Sequence, residues 1–334
     1  MSNTLNKINT FIQTNNNLSS IIDYCREYKS KKEINIYLVG GIIRDILLDT
    51  NVKFIDIDIV IDGDIDHFSN EIANKSNFNI KQIHNFPNYK LSQNNGLQID
   101  IAHTRKEKYQ SSGSLPDWTK STIKEDLYRR DFSINSIALE IKNDCFQIID
   151  PINGIQDINN KIIKILHNNS FIDDPTRILR AIRYKARLQF NFDEQTKSLF
   201  YDSFDYLKNI SLFRKNNEII KLLNEPFIEN FVSLMNNDKR IKLLFPNLFL
   251  NKINYINKNF WNESNTIEKL FFALFSVNEK SRDDFLKSLN FPKKELEEIL
   301  YFYKIKQRIE KNKILDPNEI TLSNQFLSNL YHCL

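Results

Sequence analysis

Two periodicities of apolar residues divide the chain into a first part with strands and a second part with helices. Residues 34–39 (INIYLV) form an apolar run that ends at Gly40-Gly41, and residues 54–61 (FIDIDIVI) alternate apolar and acidic positions. Alternation with period two is typical of a half-buried β-strand. Residues 98–102 (QIDIA) predict another strand and residues 68–78 a helix, so about the first 140 residues are expected to form a mixed α/β domain.

From about residue 160 to the end, apolar residues recur at spacings of three and four, which is typical of amphipathic helices. Proline disfavours a helical conformation in the residue before it, so helices usually end there. Helix ends are predicted at Asn224-Glu225-Pro226, Phe245-Pro246-Asn247, Phe291-Pro292 and Asp316-Pro317. The predicted fold class is therefore α+β, with a mixed domain followed by an all-α array.

Composition narrows the class of protein. The 334 residues are 41% hydrophobic, enough for a sizeable core and about two or three domains. No run of about 18 apolar residues occurs, and the start, MSNTLNKINTFIQTNNNLSS, lacks the apolar segment of a secretory signal. The cysteines Cys25, Cys145 and Cys333 are far apart, which argues against a disulfide framework or a zinc site. We expect a cytoplasmic protein without a membrane segment.

Asp56 and Asp58 are the first candidates for chemistry. They lie two residues apart on a predicted strand, so both carboxylates point to one face while the neighbouring isoleucines point into the core. Two adjacent carboxylates repel each other unless a divalent cation lies between them, and oxygen ligands suit Mg²⁺. Asp100, on a neighbouring predicted strand, is a candidate third ligand. The alternative is a solvated strand face, with Asp100 an ordinary strand-end residue.

Gly40 and Gly41 predict a sharp turn from a strand into a helix. Backbone N–H groups and the cation of Arg44 would lie at the start of that helix, which is a geometry that receives phosphate. Position 56 follows position 41 by 15 residues, enough for a helix and a turn between a phosphate site and a metal site. Together these features predict a metal-assisted phosphoryl or nucleotidyl transfer site.

Four ordered motifs resemble one known family. Residues 38–48 (LVGGIIRDILL) with Asp56-Ile57-Asp58 resemble the head-domain signature of class II tRNA nucleotidyltransferases and bacterial poly(A) polymerases. Residues 125–135 (EDLYRRDFSIN), 149–157 (IDPINGIQD) and 173–183 (DDPTRILRAIR) resemble the later motifs of that family in the same order. The similarity extends from about Tyr37 to Phe190.

The resemblance implies a polymerase-β-like head in which Asp56 and Asp58 are catalytic and bind metal, followed by a helical neck, body and tail that hold tRNA. It also implies that the incoming nucleotide is bound by Gly40, Gly41, Arg44 and Arg130. The alternative for Arg129 and Arg130 is a solvated basic pair before a helix that Asp131 caps.

The motif at residues 173–183 also has a physical interpretation. Pro175 is placed like a first-turn proline, with Asp174 at the N-cap. One side of the predicted helix is basic, and it carries Arg177, Arg180, Arg183 and Arg187. This side can bind a triphosphate or the tRNA backbone, or it can be a solvated helix face.

The resemblance further implies that Asp174 and Arg177 select the base. The carboxylate would accept from an exocyclic amino group and the guanidinium would donate to the adjacent ring nitrogen, which fits cytosine and adenine but neither uracil nor guanine. Arg180 and Arg183 are implied nucleotide contacts on the same helix. Asp173 stands where a glutamate is common in the family.

Other basic segments leave alternatives open. Basic residues exceed acidic ones by only 46 to 42, so affinity for an anionic partner depends on where the basic residues lie. Residues 105–116 resemble the family's mobile loop near the active site, or form a surface connection. Lys293-Lys294 and residues 304–313 predict contacts with tRNA phosphates or solvated helix faces.

The expected organisation is an N-terminal helical extension (1–30), a nucleotidyltransferase head (31–145), a neck (146–210) and a tRNA-binding helical body and tail (211–334). The expected function is template-independent addition of C, A or CCA to the 3′ end of tRNA, from CTP and ATP, with Mg²⁺ as cofactor. The alternatives are a partial CC- or A-adding enzyme, a poly(A) polymerase, and an RNA-binding protein with an inactive head.

Overall fold

The computed structural model describes residues 2–48, 56–83, 88–245, 256–289, 291–311 and 323–333. The chain forms two compact units. The first comprises Met1–Asp173 with Asn191–Tyr201, and the second comprises Asp174–Phe190 with Asp202–Leu334. The finer division into extension, head, neck and body stays a prediction.

The strands of the described chain all belong to the first unit. They are β1 Asn35–Val39, β2 Asp56–Asp62, β3 Asn79–Ile83, β4 Asn88–Ser92, β5 Gln98–His103, β6 Arg105–Lys108, β7 Asp117–Lys120, β8 Ala138–Ile141, β9 Phe146–Ile149, β10 Ile162–Ile163 and β11 Asn191–Phe192. Seven of them form one sheet in the order β3-β4-β5-β2-β1-β8-β9, β6 pairs with β7, and β10 pairs with β11.

Strand β2 lies inside the large sheet, antiparallel to β1 and parallel to β5. Its acidic side chains at positions 56, 58 and 62 are exposed, whereas Ile57 and Ile59 are buried. Apolar side chains of β1 and β5 are buried on either side, which fixes the register of β2. The predicted orientation of Asp56 and Asp58 to one face is therefore confirmed.

Seven α-helices and a 3-10 helix at Ser133–Asn135 lie before residue 174 in the described chain. The α-helices are α1 Ser2–Thr14, α2 Asn16–Lys31, α3 Gly41–Leu47, α4 Ile65–Lys75, α5 Ile123–Tyr128, α6 Gly154–Asn159 and α7 Ser170–Asp173. Helix α1 packs on α3, and α2 packs on β1 and β8. Lys7 Nζ donates to the carbonyl oxygen of Leu47 at 2.7 Å, so α1 caps the C-terminal end of α3.

After residue 174, the described parts of the chain are mainly helical, with the short strand β11 and a 3-10 helix at Phe204–Asn209. The α-helices are α8 Thr176–Leu188, α9 Glu194–Asp202, α10 Leu212–Leu223, α11 Ile228–Asn237, α12 Lys239–Leu243, α13 Lys258–Glu263, α14 Thr266–Ala273, α15 Glu279–Ser288, α16 Lys293–Glu310 and α17 Asn324–Cys333. In the second unit, the rings of Phe271, Phe272, Phe302 and Phe326 pack together with centroid distances of 4.6 to 5.6 Å.

The α+β class and most predicted elements are confirmed. Helix α10 ends before Pro226 and α16 begins after Pro292, as predicted. The helix predicted at 68–78 is found at Ile65–Lys75, because the side chain of Asp64 accepts from the backbone N–H of His67 and starts the helix earlier. Residues 54–55, Pro246-Asn247 and Asp316-Pro317 lie outside the described residues.

Among the helices in the described ranges, none combines the length and the apolar character needed to cross a membrane.

Candidate active site

The first unit brings Gly40, Asp58 and Arg130 together at the turn between β1 and α3. Gly40 has φ 78°, a conformation that residues with a side chain rarely adopt. A Cβ atom at this position would lie 3.0 Å from Asp58 Oδ2 and 3.5 Å from Arg130 Nη1. The predicted strand-to-helix turn is therefore confirmed, and glycine allows the carboxylate and the guanidinium to approach its backbone.

Asp56 and Asp58 are crowded carboxylates without partners. In the part of the chain that the structure describes, neither has a hydrogen bond or a salt bridge. Loss of hydration raises the pKa of Asp58 to about 6, an effect that Arg130 opposes and that Asp100 and Asp56 reinforce. Loss of hydration, with the charge of Asp100, also raises the pKa of Asp56. A divalent cation between the two would offset this repulsion, so the pair fits a metal site.

Asp100 lies opposite Asp58 in the pairing of β5 with β2. Its Oδ2 accepts from Lys90 Nζ at 3.0 Å. Within the described ranges, no group of three His, Cys, Asp or Glu side chains is placed to hold a metal ion. The structure thus offers a pair of carboxylates, and the role of Asp100 as a third ligand stays a prediction.

Arg129 and Arg130 form ion pairs with the fully buried Asp126. Arg129 donates to Oδ1 at 2.8 and 2.9 Å, and Arg130 donates to Oδ2 at 3.0 and 3.3 Å. Burial alone would raise the pKa of Asp126, but the guanidinium groups of Arg130 and Arg129 hold it below its usual range. The alternative of a solvated basic pair is therefore wrong, and Asp126 fixes the guanidinium of Arg130 near Gly40.

Arg44 lies inside the first unit rather than on its surface. Its side chain is 2% exposed and donates to Asp45 Oδ1 at 2.8 Å and to Asn135 Oδ1. Asn135 in turn donates to Asp131 at 3.0 Å. These contacts link α3 to the segment that follows Arg130, so the observed role of Arg44 is structural, and its predicted contact with a nucleotide stays a prediction.

Residues 105–116, predicted as a long loop, begin with strand β6 and form a hairpin with β7. Glu107 on β6 accepts from Arg105 at 2.9 Å and from Arg129 at 3.0 Å. The second bond connects the hairpin to Arg129, which also pairs with Asp126. The backbone N–H of Gly113 donates to the carbonyl of Asp173 at 3.2 Å. Residues 117–120 supply the partner strand, which their short polar pattern did not reveal.

The second unit carries Asp174 and Arg177 at the start of α8. The helix begins at Thr176, one residue after the predicted Pro175, and the carboxylate of Asp174 accepts from the backbone N–H of Thr176. Asp174 Oδ1 also accepts from Thr176 Oγ1 at 2.6 Å and from Arg214 Nη2 at 2.8 Å. Arg177 is buried in the first turn of α8. Asp174 therefore has a fixed orientation.

Three arginines on the basic side of α8 form ion pairs with two carboxylates. Arg180 and Arg183 lie 3.9 and 3.6 Å from Glu218. Arg183 and Arg187 lie 3.4 and 3.8 Å from Glu225. The alternative of a simply solvated helix face is wrong for these three arginines, because acidic residues about 40 positions away in sequence pair with them. Nucleotide contacts by Arg180 and Arg183 stay a prediction.

Sequence reasoning missed Asp126, which fixes Arg130 in the first unit. It also missed Arg214 and Glu218, which contact Asp174 and Arg183 in the second unit. Asp126 could have been found, because it precedes Arg129 and Arg130 by three and four residues, the spacing of neighbours on a helix. Arg214 and Glu218 gave no local signal, since Asp174 and Arg183, which they contact, are 40 and 35 positions away in sequence.

Comparison with known proteins identifies the family. Residues 36–164 match the Poly A polymerase head domain, and residues 189–250 match the probable RNA and SrmB-binding site of polymerase A. The CCA-adding enzyme of Francisella tularensis subsp. novicida (strain U112) is 32% identical over 308 residues, which cover 88% of this chain and 77% of that protein. The chain belongs to the class II tRNA nucleotidyltransferase family. Its first unit accordingly contains the polymerase-β-like head.

Two further matches define the limits of this similarity. The A-adding tRNA nucleotidyltransferase of Geobacter sulfurreducens is 34% identical over 221 residues, which cover 65% of this chain but only 25% of that protein. The chain also spans only 40% and 24% of two further A-adding relatives. A Thermotoga maritima CCA-adding enzyme complexed with tRNA has a TM-score of 0.66 and 26% identity, over 96% of this chain and 79% of that one.

Nucleotidyltransferases of this fold generally use divalent metal ions.

Proposed function

We propose that this class II tRNA nucleotidyltransferase adds C, A or both to the 3′ end of tRNA from CTP and ATP, without a nucleic-acid template. The proposal rests on Asp56 and Asp58, two crowded carboxylates on one face of β2. Asp58 lies beside Gly40. In the reaction, the 3′ oxygen of the tRNA attacks the α-phosphorus of the nucleotide, a phosphodiester bond forms, and pyrophosphate leaves.

Asp56 and Asp58 are the residues that would hold Mg²⁺. Loss of hydration raises the pKa of both carboxyl groups, and Arg130 only partly opposes this at Asp58, so a divalent cation bound between them would favour their ionised form. When bound, Mg²⁺ lowers the pKa of the attacking 3′-hydroxyl and neutralises charge on the triphosphate.

Arg130 is proposed to bind the phosphates. Asp126 holds its Nε and Nη2 atoms, while Nη1 lies on the side of Gly40. A guanidinium that is already fixed loses little conformational entropy when it binds an oxyanion. Arg130 would therefore compensate charge that develops on the leaving pyrophosphate.

Asp174 and Arg177 are proposed to select the base in the second unit. Three donors contact Oδ1 of Asp174, and among the described residues no donor contacts Oδ2. Oδ2 is therefore the atom that would accept from an exocyclic amino group, while Arg177 would donate to the neighbouring ring nitrogen. Cytosine and adenine present this donor and acceptor order, whereas uracil and guanine present the reverse.

Partial addition is the second candidate, because three relatives are named A-adding tRNA nucleotidyltransferases. Poly(A) synthesis is a third, because the head matches the Poly A polymerase head domain. An inactive RNA-binding head is disfavoured by Asp56 and Asp58, whose crowding raises the free energy of the metal-free protein without any structural benefit.

The decisive experiment supplies tRNA that ends before C, CC or CCA with labelled CTP and ATP, separately and together. A CCA-adding enzyme stops after three nucleotides, a partial enzyme needs one particular end, and poly(A) synthesis continues. No incorporation into any of these substrates, with tRNA binding intact, would refute nucleotidyl transfer.

A matched pair of variants tests the metal site. Asp56→Asn removes a proposed ligand, and Asp62→Asn removes an exposed carboxylate at the other end of the same strand. We expect Asp56→Asn to abolish incorporation and Asp62→Asn to preserve it. Incorporation at the wild-type rate by Asp56→Asn would refute the assignment.

A further inference from the structure

The carboxylate of Asp174 is oriented by a hydroxyl group that is its own near neighbour in sequence. Thr176 Oγ1 donates to Asp174 Oδ1 at 2.6 Å, which is the shortest of the three contacts to that oxygen. Thr176 itself is buried, with 8% exposure. A buried hydroxyl that donates to a carboxylate forms a charge-assisted hydrogen bond, stronger than one between neutral groups.

All three donors contact Oδ1. Two of them belong to Thr176 and the third to Arg214, on a different helix of the second unit. The backbone N–H and the hydroxyl of Thr176 belong to α8, and the guanidinium of Arg214 belongs to α10. With Oδ1 held at three points, rotation of the carboxylate about its Cβ–Cγ bond is restricted. The remaining oxygen, Oδ2, is presented in one direction only.

We propose that Thr176 is a positioning residue for nucleotide selection, whose hydroxyl fixes the plane of the Asp174 carboxylate. Recognition of an amino group by a single acceptor depends on direction, because hydrogen bonds weaken steeply as their angle departs from linearity. A carboxylate that can rotate can meet a uracil N–H as well as a cytosine amino group. The hydroxyl therefore contributes to discrimination as well as to binding. This inference rests on the proposed role of Asp174.

Thr176 also has a structural position at the start of α8, so the test must separate the two roles. A helix-capping defect would lower thermal stability and the active fraction of the enzyme equally for every nucleotide. A loss of orientation would instead change the KM for the correct nucleotides and the preference for them, with a smaller change in kcat.

The variants Thr176→Val and Thr176→Ser make this separation. Valine has nearly the shape of threonine but no hydroxyl, and serine restores the hydroxyl without the methyl group. The assay measures kcat and KM for CTP and ATP, and misincorporation of UTP, on a tRNA that lacks CCA. We expect Thr176→Val to lower the preference for CTP over UTP about tenfold, the effect of one hydrogen bond to a charged group, and Thr176→Ser to restore it.

Further variants complete the test. Thr176→Ala removes the hydroxyl without adding a methyl group and replaces the valine variant if that does not fold. A preference within twofold of wild type in Thr176→Val, while Asp174→Ala loses selection, overturns the role of Thr176 and leaves the proposed function intact. Unchanged selection in Asp174→Ala overturns the proposed roles of both Asp174 and Thr176 in selection, and leaves nucleotidyl transfer itself intact.

Discussion

Replacing Asp58 by asparagine should stabilise the metal-free protein while it destroys the proposed metal site. Asparagine keeps the shape of the side chain and removes its charge. The pKa of Asp58 is raised from 3.8 to about 6, mainly by loss of hydration. A shift of about two pKa units corresponds to about 3 kcal/mol, and exposure of this side chain to solvent reduces the expected effect to about 1 kcal/mol. In a domain of about 150–250 residues this raises Tm by about 2–4 °C.

The sign of the pH dependence follows from the raised pKa. The folded protein binds a proton at Asp58 more tightly than the unfolded chain does, so ionisation of this group disfavours folding. Wild-type stability should therefore fall as pH rises from about 4 to about 6, and the penalty should be constant above that range. The Asp58→Asn variant lacks this titration, so its advantage over wild type should appear across the same interval and persist at pH 8.

The assay is thermal unfolding of wild type and Asp58→Asn between pH 4 and pH 8, with and without Mg²⁺. Mg²⁺ should raise the Tm of the wild type, because it binds the folded state, and should have little effect on the variant. The order of stability should therefore change when Mg²⁺ is added. The Asp62→Asn variant is the control, and it should respond to Mg²⁺ as wild type does. Equal stability of wild type and Asp58→Asn at pH 8, or equal stabilisation of both by Mg²⁺, would refute the reasoning.

Three other changes have defined outcomes. Gly40→Ala should lower kcat at least tenfold in steady-state assays, because the Cβ atom of alanine would lie 3.0 Å from Asp58 Oδ2 and because the backbone at this position has φ 78°; an unchanged kcat contradicts this. Lys7→Met should lower the free energy of urea unfolding by about 1 kcal/mol, since it removes the hydrogen bond to Leu47, and Lys7→Arg should lose less. Raising salt should weaken tRNA binding more than CTP binding in titrations, and equal sensitivity argues against a broad phosphate footprint.

The placement of Asp56 and Asp58 could be predicted because it depends on local rules. A period-two pattern decides which side chains share a face of a strand, and this placed Asp56 and Asp58 together and the isoleucines in the core. The Gly40 turn followed in the same way from the scarcity of glycine and its place after an apolar run. Both predictions concern residues that are close in sequence, and both are confirmed.

The partners of the charged residues could not be predicted in the same way. Periodicity shows that Arg180, Arg183 and Arg187 share one side of a helix, but it does not show what that side contacts. Glu218 and Glu225 lie on or just after α10, and only the packing of α10 on α8 brings them to the arginines. The contact of Arg214 with Asp174 has the same origin.

If the protein binds tRNA as proposed, the ion pairs on α8 also limit where the tRNA phosphates can bind. An arginine that already faces a carboxylate must lose that partner before it can bind a phosphate, so its net contribution to affinity is small. Arg183 faces two carboxylates, Glu218 and Glu225, and Arg187 shares the second. Replacing Glu225 by glutamine should therefore free positive charge, tighten tRNA binding, and increase its dependence on salt. A weaker or unchanged affinity of Glu225→Gln, measured at two salt concentrations, would show that these arginines take no part in the phosphate footprint.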